Sequence, residues 1–194
     1  RRQKPLGPSY KLMYQHPVQF VRAEGVHMYD PEGNEYLDCY NNVPSVGHCH
    51  PRVVEAVTKQ IATLNTHTRY MDEKLLDYSE QLIETFQTDL GSVMYTCTGS
   101  EAVDLAMRIA KFNTGGTGII VTEYAYHGIT SAVAAISTTM GKYVPVDLHV
   151  RTVRAPDPYR AGPGVDVGAR LAADIEAAVE EMERHGIKFA AFIA

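Results

Sequence analysis

The stretch Tyr95-Thr-Cys-Thr-Gly-Ser-Glu-Ala-Val-Asp-Leu-Ala-Met-Arg-Ile109 decides the fold. It starts within a β-prone run at residues 93–97 and passes through a polar turn at residues 98–101. Apolar residues then recur at helical spacing, namely Ala102, Leu105, Ala106, Ile109 and Ala110. The pattern predicts a strand, a tight turn and a helix.

The turn can serve in two ways. A helix start leaves backbone N–H groups unpaired and carries partial positive charge, so Gly99 and Ser100 can seat a phosphate. The same residues are also typical of an ordinary N-cap, because Thr98 or Ser100 is followed by an acid and an apolar run. The turn alone leaves both interpretations open.

Composition excludes several classes of partner. The 194 residues are 45% hydrophobic, which is enough for one sizeable core. Eighteen basic and 23 acidic residues give a net charge of -5 without a basic block, which argues against nucleic acid. No apolar run reaches membrane-spanning length, so no membrane partner is expected. The cysteines are few and odd in number, namely Cys39, Cys49 and Cys97, which indicates reduced thiols and a cytoplasmic protein.

Upstream of the turn, the sequence predicts a hairpin and two helices. Two β-prone runs, residues 26–29 and 35–38, flank a turn rich in Pro, Gly and Asn. A loop follows, and helices are predicted from Pro51 and around residues 75–86. The loop carries His48, Cys49 and His50, whose adjacent side chains project in different directions. With no second ligand cluster at zinc-like spacing, we predict locally hydrogen-bonded histidines and no metal site.

Downstream, a short buried strand is predicted at residues 118–122, followed by Tyr126 and His127. Open α/β sheets place ligand-contacting groups at such strand ends, although a packed Tyr and a capped His fit equally well. Residues 113–118 are interpreted as a connector and residues 143–164 as an irregular excursion, before a helix that Gly186 ends. Alternating strands and helices predict an α/β fold with a mainly parallel, doubly wound sheet.

Four segments in this order and spacing carry a family resemblance. They are residues 25–38, Val46-Gly-His-Cys-His-Pro51, Thr98-Gly-Ser-Glu-Ala102 and Tyr126-His-Gly128. Together they resemble the class III aminotransferases, pyridoxal-phosphate enzymes of fold type I. Asn41-Asn-Val43, Ala155-Pro-Asp-Pro-Tyr-Arg160 and the C-terminal Phe189-Ala-Ala-Phe-Ile-Ala194 are similar to the branch that contains ethanolamine-phosphate phospho-lyase and alanine-glyoxylate aminotransferase-like proteins.

The resemblance implies a three-layer αβα fold, present here as its N-terminal half. Residues 1–50 would contribute to the small domain, and residues 51–194 would form the N-terminal half of the large cofactor-binding domain. The implied cofactor is pyridoxal 5'-phosphate, and the implied assembly is a homodimer. Since the chain stops inside an apolar, strand-like run, we expect it to be part of a longer polypeptide.

The resemblance also assigns residues to the site. Gly99 and Ser100 match the positions that hold the cofactor phosphate. Tyr126 matches the aromatic ring that stacks on the pyridine, with His127 beside it. The substrate-facing residues are expected to be Asn41, Asn42, Arg69 and Tyr70.

The catalytic residues of the family are not matched. Its chemistry needs a lysine that bonds to the cofactor aldehyde and a carboxylate that keeps the pyridine nitrogen protonated. Neither follows a matching motif here; the lysines present are Lys4, Lys11, Lys59, Lys74, Lys111, Lys142 and Lys188. Both groups are expected downstream of Ala194.

The resemblance implies a transaminase that moves an amino group from an amine or amino acid to a 2-oxo acid or aldehyde. A phospho-lyase acting on a phosphorylated amine is the first alternative, and a non-catalytic binding or assembly module is the second. A nicotinamide-dependent dehydrogenase is disfavoured because no Gly-x-Gly-x-x-Gly opens a helix.

Overall fold

The computed structural model describes residues 5, 7, 12, 14–40 and 45–194. The chain divides into two compact units, Arg1–Tyr78 and Ser79–Ala194. The division predicted from the sequence, between residues 50 and 51, stays a prediction. Within the described ranges, no helix combines the length and apolar character needed to cross a membrane.

The first unit contains a small antiparallel sheet with the order β1-β2-β3. Its strands are β1 (Arg22–Glu24), β2 (His27–Tyr29) and β3 (Glu35–Leu37). The predicted hairpin is confirmed, since β2 and β3 pair with His27 opposite Leu37. Asp30 closes the hairpin turn, because its carboxylate accepts hydrogen bonds from the backbone N–H and the side-chain amide of Asn34, both at 2.8 Å. These bonds lower the pKa of Asp30.

Two helices follow, α1 (Pro51–Ile61) in the first unit and α2 (Glu73–Glu84), which contains the division between Tyr78 and Ser79. Pro51 occupies the first turn of α1, as predicted, because its missing N–H would have no partner there. Phe86, which the apolar pattern placed on the second helix, lies beyond the end of α2.

The second unit is built on a parallel sheet with the order β5-β4-β6. Its strands are β4 (Gly118–Thr122), β5 (Val150–Val153) and β6 (Phe189–Ile193), and both neighbours run parallel to β4. Its helices are α3 (Gly99–Thr114), α4 (Ser131–Ala134), α5 (Pro158–Ala161) and α6 (Val167–Arg184), with a 3₁₀ turn at Thr138–Met140.

Successive residues of β4 point to opposite faces of the sheet and build two cores. Ile119 and Val121 pack in one cluster with Met107 of α3. Ile120 packs in the other cluster with Met182 of α6. The sheet is therefore covered by helices on both faces, which confirms the predicted three-layer αβα arrangement.

Two predictions about this unit are wrong. Residues 93–97 form no strand, because a strand needs a neighbour to pair its N–H and C=O groups and no described strand lies alongside. The supposed irregular excursion at residues 143–164 contains β5 and α5. Its Val150 and Val153 are buried, so the β-branched residues, not the surrounding Pro and Gly, decide the local structure.

The end of β3 carries a pair of residues that makes the stability of the first unit depend on pH. His48 Nε2 donates to Asp38 Oδ2 at 2.8 Å, and the backbone N–H of Tyr40 donates to Asp38 Oδ1 at 3.0 Å. These two hydrogen bonds, the first being the stronger cause, lower the pKa of Asp38. The carboxylate therefore stabilises the folded state above its ordinary pKa, and this contribution is lost as the pH falls through the lowered value.

We expect Asp38→Asn to lower the free energy of unfolding at pH 7 and to leave a smaller difference from the wild type below about pH 4. Urea unfolding of both proteins between pH 7 and pH 3 measures this difference. Asp30 is present in both proteins, so its own titration cancels. A gap that stays constant over this range would contradict the assignment to Asp38.

Candidate functional site

The start of α3 is capped by its own side chains. Thr98 is the N-cap residue, and its hydroxyl accepts a hydrogen bond from the backbone N–H of Glu101 at 3.1 Å. The Glu101 carboxylate reaches back and accepts from the backbone N–H of Cys97 at 2.9 Å. This reciprocal pair resembles a capping box and fixes the direction in which the chain enters the helix.

Capping leaves the first amides of α3 open. The N–H groups of Glu101 and Ala102 bond to Thr98, the first to its hydroxyl and the second to its carbonyl oxygen. The N–H groups of Gly99 and Ser100 bond to no group in the described part of the chain. The turn can therefore cap the helix and bind a phosphate at the same time. The cap uses the N–H groups of Glu101 and Ala102, whereas an anion would use those of Gly99 and Ser100.

The loop after β4 lies directly against this helix start. The backbone N–H of Ile129 donates to Ser100 Oγ at 3.1 Å. A Cβ built on Gly128 would lie 2.3 Å from Ser100 Oγ and 2.9 Å from Ser100 Cα, so only glycine fits. The φ of Gly128 is 141°, which L residues rarely adopt. Since Ser100 Oγ accepts from Ile129, its own hydrogen remains available to an anion in front of the helix.

Tyr126 and His127 belong to the same loop. The Tyr126 side chain is 62% exposed, so it is not packed in the core and its ring is open to a ligand. His127 is half-buried, and burial lowers the pKa of its imidazole, which is therefore neutral at pH 7. Its Nε2 is covered by protein atoms and finds no hydrogen-bond partner within the described ranges.

Two of the predicted substrate-facing residues, Arg69 and Tyr70, lie in the first unit. Tyr70 stacks on His67 with ring centroids 5.1 Å apart, and the backbone N–H of Arg69 donates to His67 Nδ1 at 3.2 Å. Asn41 and Asn42 lie outside the described residues. The assignment of these four residues to a substrate site stays a prediction.

The His48-Cys49-His50 segment shows the local hydrogen bonding predicted for His48, through Asp38. Cys49 has a φ of 54°, and His50 Nδ1 is buried without a partner in the described chain. Among the described residues, no three His, Cys, Asp or Glu side chains are grouped as metal ligands.

Sequence reasoning missed the residues that support the loop. Ser137, Thr138 and Thr139 hydrogen-bond to the loop backbone near Tyr126. The only signal in the sequence is a run of three hydroxyl residues after the short apolar segment 132–136. Such a run is also common at helix ends and turns, so it indicates no site by itself.

Comparison with known proteins gives consistent results. The family model described as "Aminotransferase class-III" matches residues 10–194. The chain is 36% identical over 205 residues to an alanine--glyoxylate aminotransferase 2-like protein of Drosophila melanogaster, covering 100% of this chain and 41% of that protein. It is 38% identical over 184 residues to ethanolamine-phosphate phospho-lyase homolog 1 of Caenorhabditis elegans, covering 93% and 38%.

A solved structure agrees with the fold. A phospholyase from Arthrobacter in complex with phosphoethanolamine superposes with a TM-score of 0.89 at 38% identity, covering 98% of this chain and 46% of that one. The chain thus spans about two fifths of the length of the two curated relatives, 41% and 38%.

Proposed function

The chain belongs to the class-III aminotransferase family, whose cofactor is pyridoxal phosphate, and from this premise we propose that the protein is a transaminase. It would transfer an amino group from an amine or amino acid to a 2-oxo acid or aldehyde. We propose also that it is cytoplasmic, as the cysteine content led us to expect, and a homodimer, as the family resemblance implies. The observation that carries the proposal is the contact between the open start of α3 and the loop of Tyr126.

The start of α3 suits the phosphate of the cofactor. The N–H groups of Gly99 and Ser100 and the Ser100 hydroxyl supply three donors within two residues. The helix dipole adds about half a positive charge at this end, which favours a doubly charged phosphate. Gly99 is exposed and a Cβ there would meet nothing within 4 Å, so a ligand can approach the backbone.

The loop after β4 suits the ring of the cofactor. Tyr126 presents an exposed phenol ring that can stack on the pyridine face. His127 lies beside it as a neutral imidazole and adds no positive charge to the ring seat. When bound, pyridoxal phosphate supplies the electron sink for bonds at the substrate's amino carbon. The residues described here bind and orient it, while the lysine of the family is not matched in this sequence.

The cofactor assignment predicts that the purified full-length protein binds pyridoxal phosphate with a visible absorbance band. Borohydride should then fix the cofactor covalently to a lysine, because the family's lysine bonds to the cofactor aldehyde. Peptide mapping after reduction identifies that lysine. Absence of both the band and the covalent product, with excess cofactor, would contradict the enzyme and favour a non-catalytic module.

A phospho-lyase is the second candidate. The observation that favours it is the similarity of this chain to the Arthrobacter phospholyase structure, with a TM-score of 0.89 and 38% identity. The substrate named with that structure is phosphoethanolamine. Incubation of the protein with phosphoethanolamine in the absence of any oxo acid separates the two reactions. Release of inorganic phosphate identifies the lyase, whereas strict dependence on an amino acceptor identifies the transaminase.

A further inference from the structure

Three consecutive hydroxyl residues follow the helix α4 and hold the loop that carries Tyr126. We call this set the hydroxyl cradle, and its members are Ser137, Thr138 and Thr139. They bond to the backbone of the two residues that flank Tyr126, one on each side. The cradle thus acts on the position of Tyr126 through the main chain.

The residue before Tyr126 is held by two members of the cradle. The backbone N–H of Ala125 donates to Thr138 Oγ1 at 2.8 Å. The carbonyl oxygen of Ala125 accepts from Thr139 twice, from its N–H at 3.2 Å and from its hydroxyl at 3.1 Å. Both polar groups of this peptide residue are therefore paired, which a buried loop backbone requires.

The residue after Tyr126 is held by the third member. The backbone N–H of His127 donates to Ser137 Oγ at 3.0 Å, and the Ser137 hydroxyl donates to the carbonyl oxygen of Val133 at 2.9 Å. Ser137 is only 1% exposed, so neither bond is exchanged easily for one to water. Its donor and acceptor roles are both used in holding the loop to α4.

We propose that the hydroxyl cradle is a positioning element that sets the ring of Tyr126 at stacking distance from the cofactor pyridine. The backbone on both sides of Tyr126 is pinned, which fixes the direction of its Cβ while its ring stays exposed. Three residues later, the backbone N–H of Ile129 donates to Ser100 Oγ. One loop therefore connects Tyr126, which would stack on the cofactor ring, with the start of α3, which would bind the cofactor phosphate. This inference rests on the proposed function, because it needs pyridoxal phosphate as the ligand.

Thr138 offers the sharpest test, since two substitutions separate its hydroxyl from its volume. Thr138→Val keeps the shape and removes the bond to Ala125, whereas Thr138→Ser keeps the hydroxyl and loses a methyl group. We expect Thr138→Val to bind pyridoxal phosphate about tenfold more weakly and to lower the induced circular dichroism of the bound cofactor. Thr138→Ser should resemble the wild type, and so should Thr152→Val, which removes an exposed hydroxyl of β5.

A second measurement needs no cofactor. Ser137→Ala should speed hydrogen exchange at the His127 amide, because the substitution removes Ser137 Oγ, which accepts from that amide. Exchange at the β4 amides should stay slow. If Thr138→Val and the wild type had equal cofactor affinity and equal circular dichroism, the proposed positioning role of the hydroxyl cradle would be contradicted. Equal losses of cofactor affinity in Thr138→Val and Thr138→Ser would also contradict it, since a change in packing would then explain both. If the wild type itself binds no cofactor, the proposed function fails, and this inference with it.

Discussion

Gly128→Ala is expected to lower the free energy of unfolding by about 2–5 kcal/mol, because it combines backbone strain with a steric clash. The added Cβ would lie 2.3 Å from Ser100 Oγ and 2.9 Å from Ser100 Cα, and a Cα cannot turn away as a side-chain tip can. The φ of 141° at Gly128 adds strain in any L residue. A decrease in melting temperature of about 10 °C should follow, and differential scanning calorimetry measures it.

The same substitution should weaken cofactor binding. Relief of the clash requires the loop to move away from α3, which breaks the hydrogen bond from Ile129 to Ser100 and displaces Tyr126. Gly141→Ala is the matched control, since Gly141 has a φ of 82° but open space around its Cβ position. It should show strain alone and leave cofactor affinity unchanged. Equal effects of the two substitutions would show that no close approach exists at Gly128.

The sequence predicted those elements whose signals are local. In α3, the capping residues and the apolar spacing both act within the helix itself, and the structure shows Thr98 as N-cap. The hairpin likewise depends on a turn that Asp30 closes with nearby side chains. Such short-range preferences can be read from one sequence because the partner residues lie within a few positions.

Two of the wrong predictions concern pairing between distant residues. The run at 93–97 has the β-branched and aromatic residues of a strand but no neighbour in the described sheet. By contrast, β5 is a strand that the sequence analysis missed. Its Val150 pairs with Ile119, more than thirty positions away. Strand formation depends on such partners more than on intrinsic preference, so a local pattern both overpredicts and underpredicts it.

The residues of the candidate site also fall into those that local sequence signals indicate and those that depend on distant contacts. Gly99 and Ser100 could be proposed from the sequence because a helix start has known electrostatics. The requirement for glycine at position 128 could not, since it arises from the approach of a loop to Ser100, 28 positions earlier in the chain. The hydrogen bonds of the hydroxyl cradle also depend on the folded path of this loop. That path leaves no periodic pattern in the sequence from which it could be predicted.

Ser100→Asp is expected to abolish most pyridoxal-phosphate binding through its charge. The larger side chain also meets the close approach of Gly128, whereas a carboxylate in the first turn of α3 interacts favourably with the helix dipole, by about 0.3–1 kcal/mol. Toward a bound phosphate the same charge is repulsive, by about 4 kcal/mol for two unit charges 4 Å apart near a protein surface. We therefore expect at least about a hundredfold loss of affinity, measured by cofactor titration.

Two comparisons isolate the charge as the cause. Ser100→Asn has nearly the same size as Ser100→Asp and meets the same constraint from Gly128, but carries no charge. It should therefore retain far more affinity for pyridoxal phosphate. Pyridoxal, which lacks the phosphate, should bind equally weakly to both variants, because the added carboxylate then has no anion to repel. If the two variants bound pyridoxal phosphate equally, the phosphate would have to lie away from the start of α3, and Gly99 and Ser100 would be an N-terminal turn and no more.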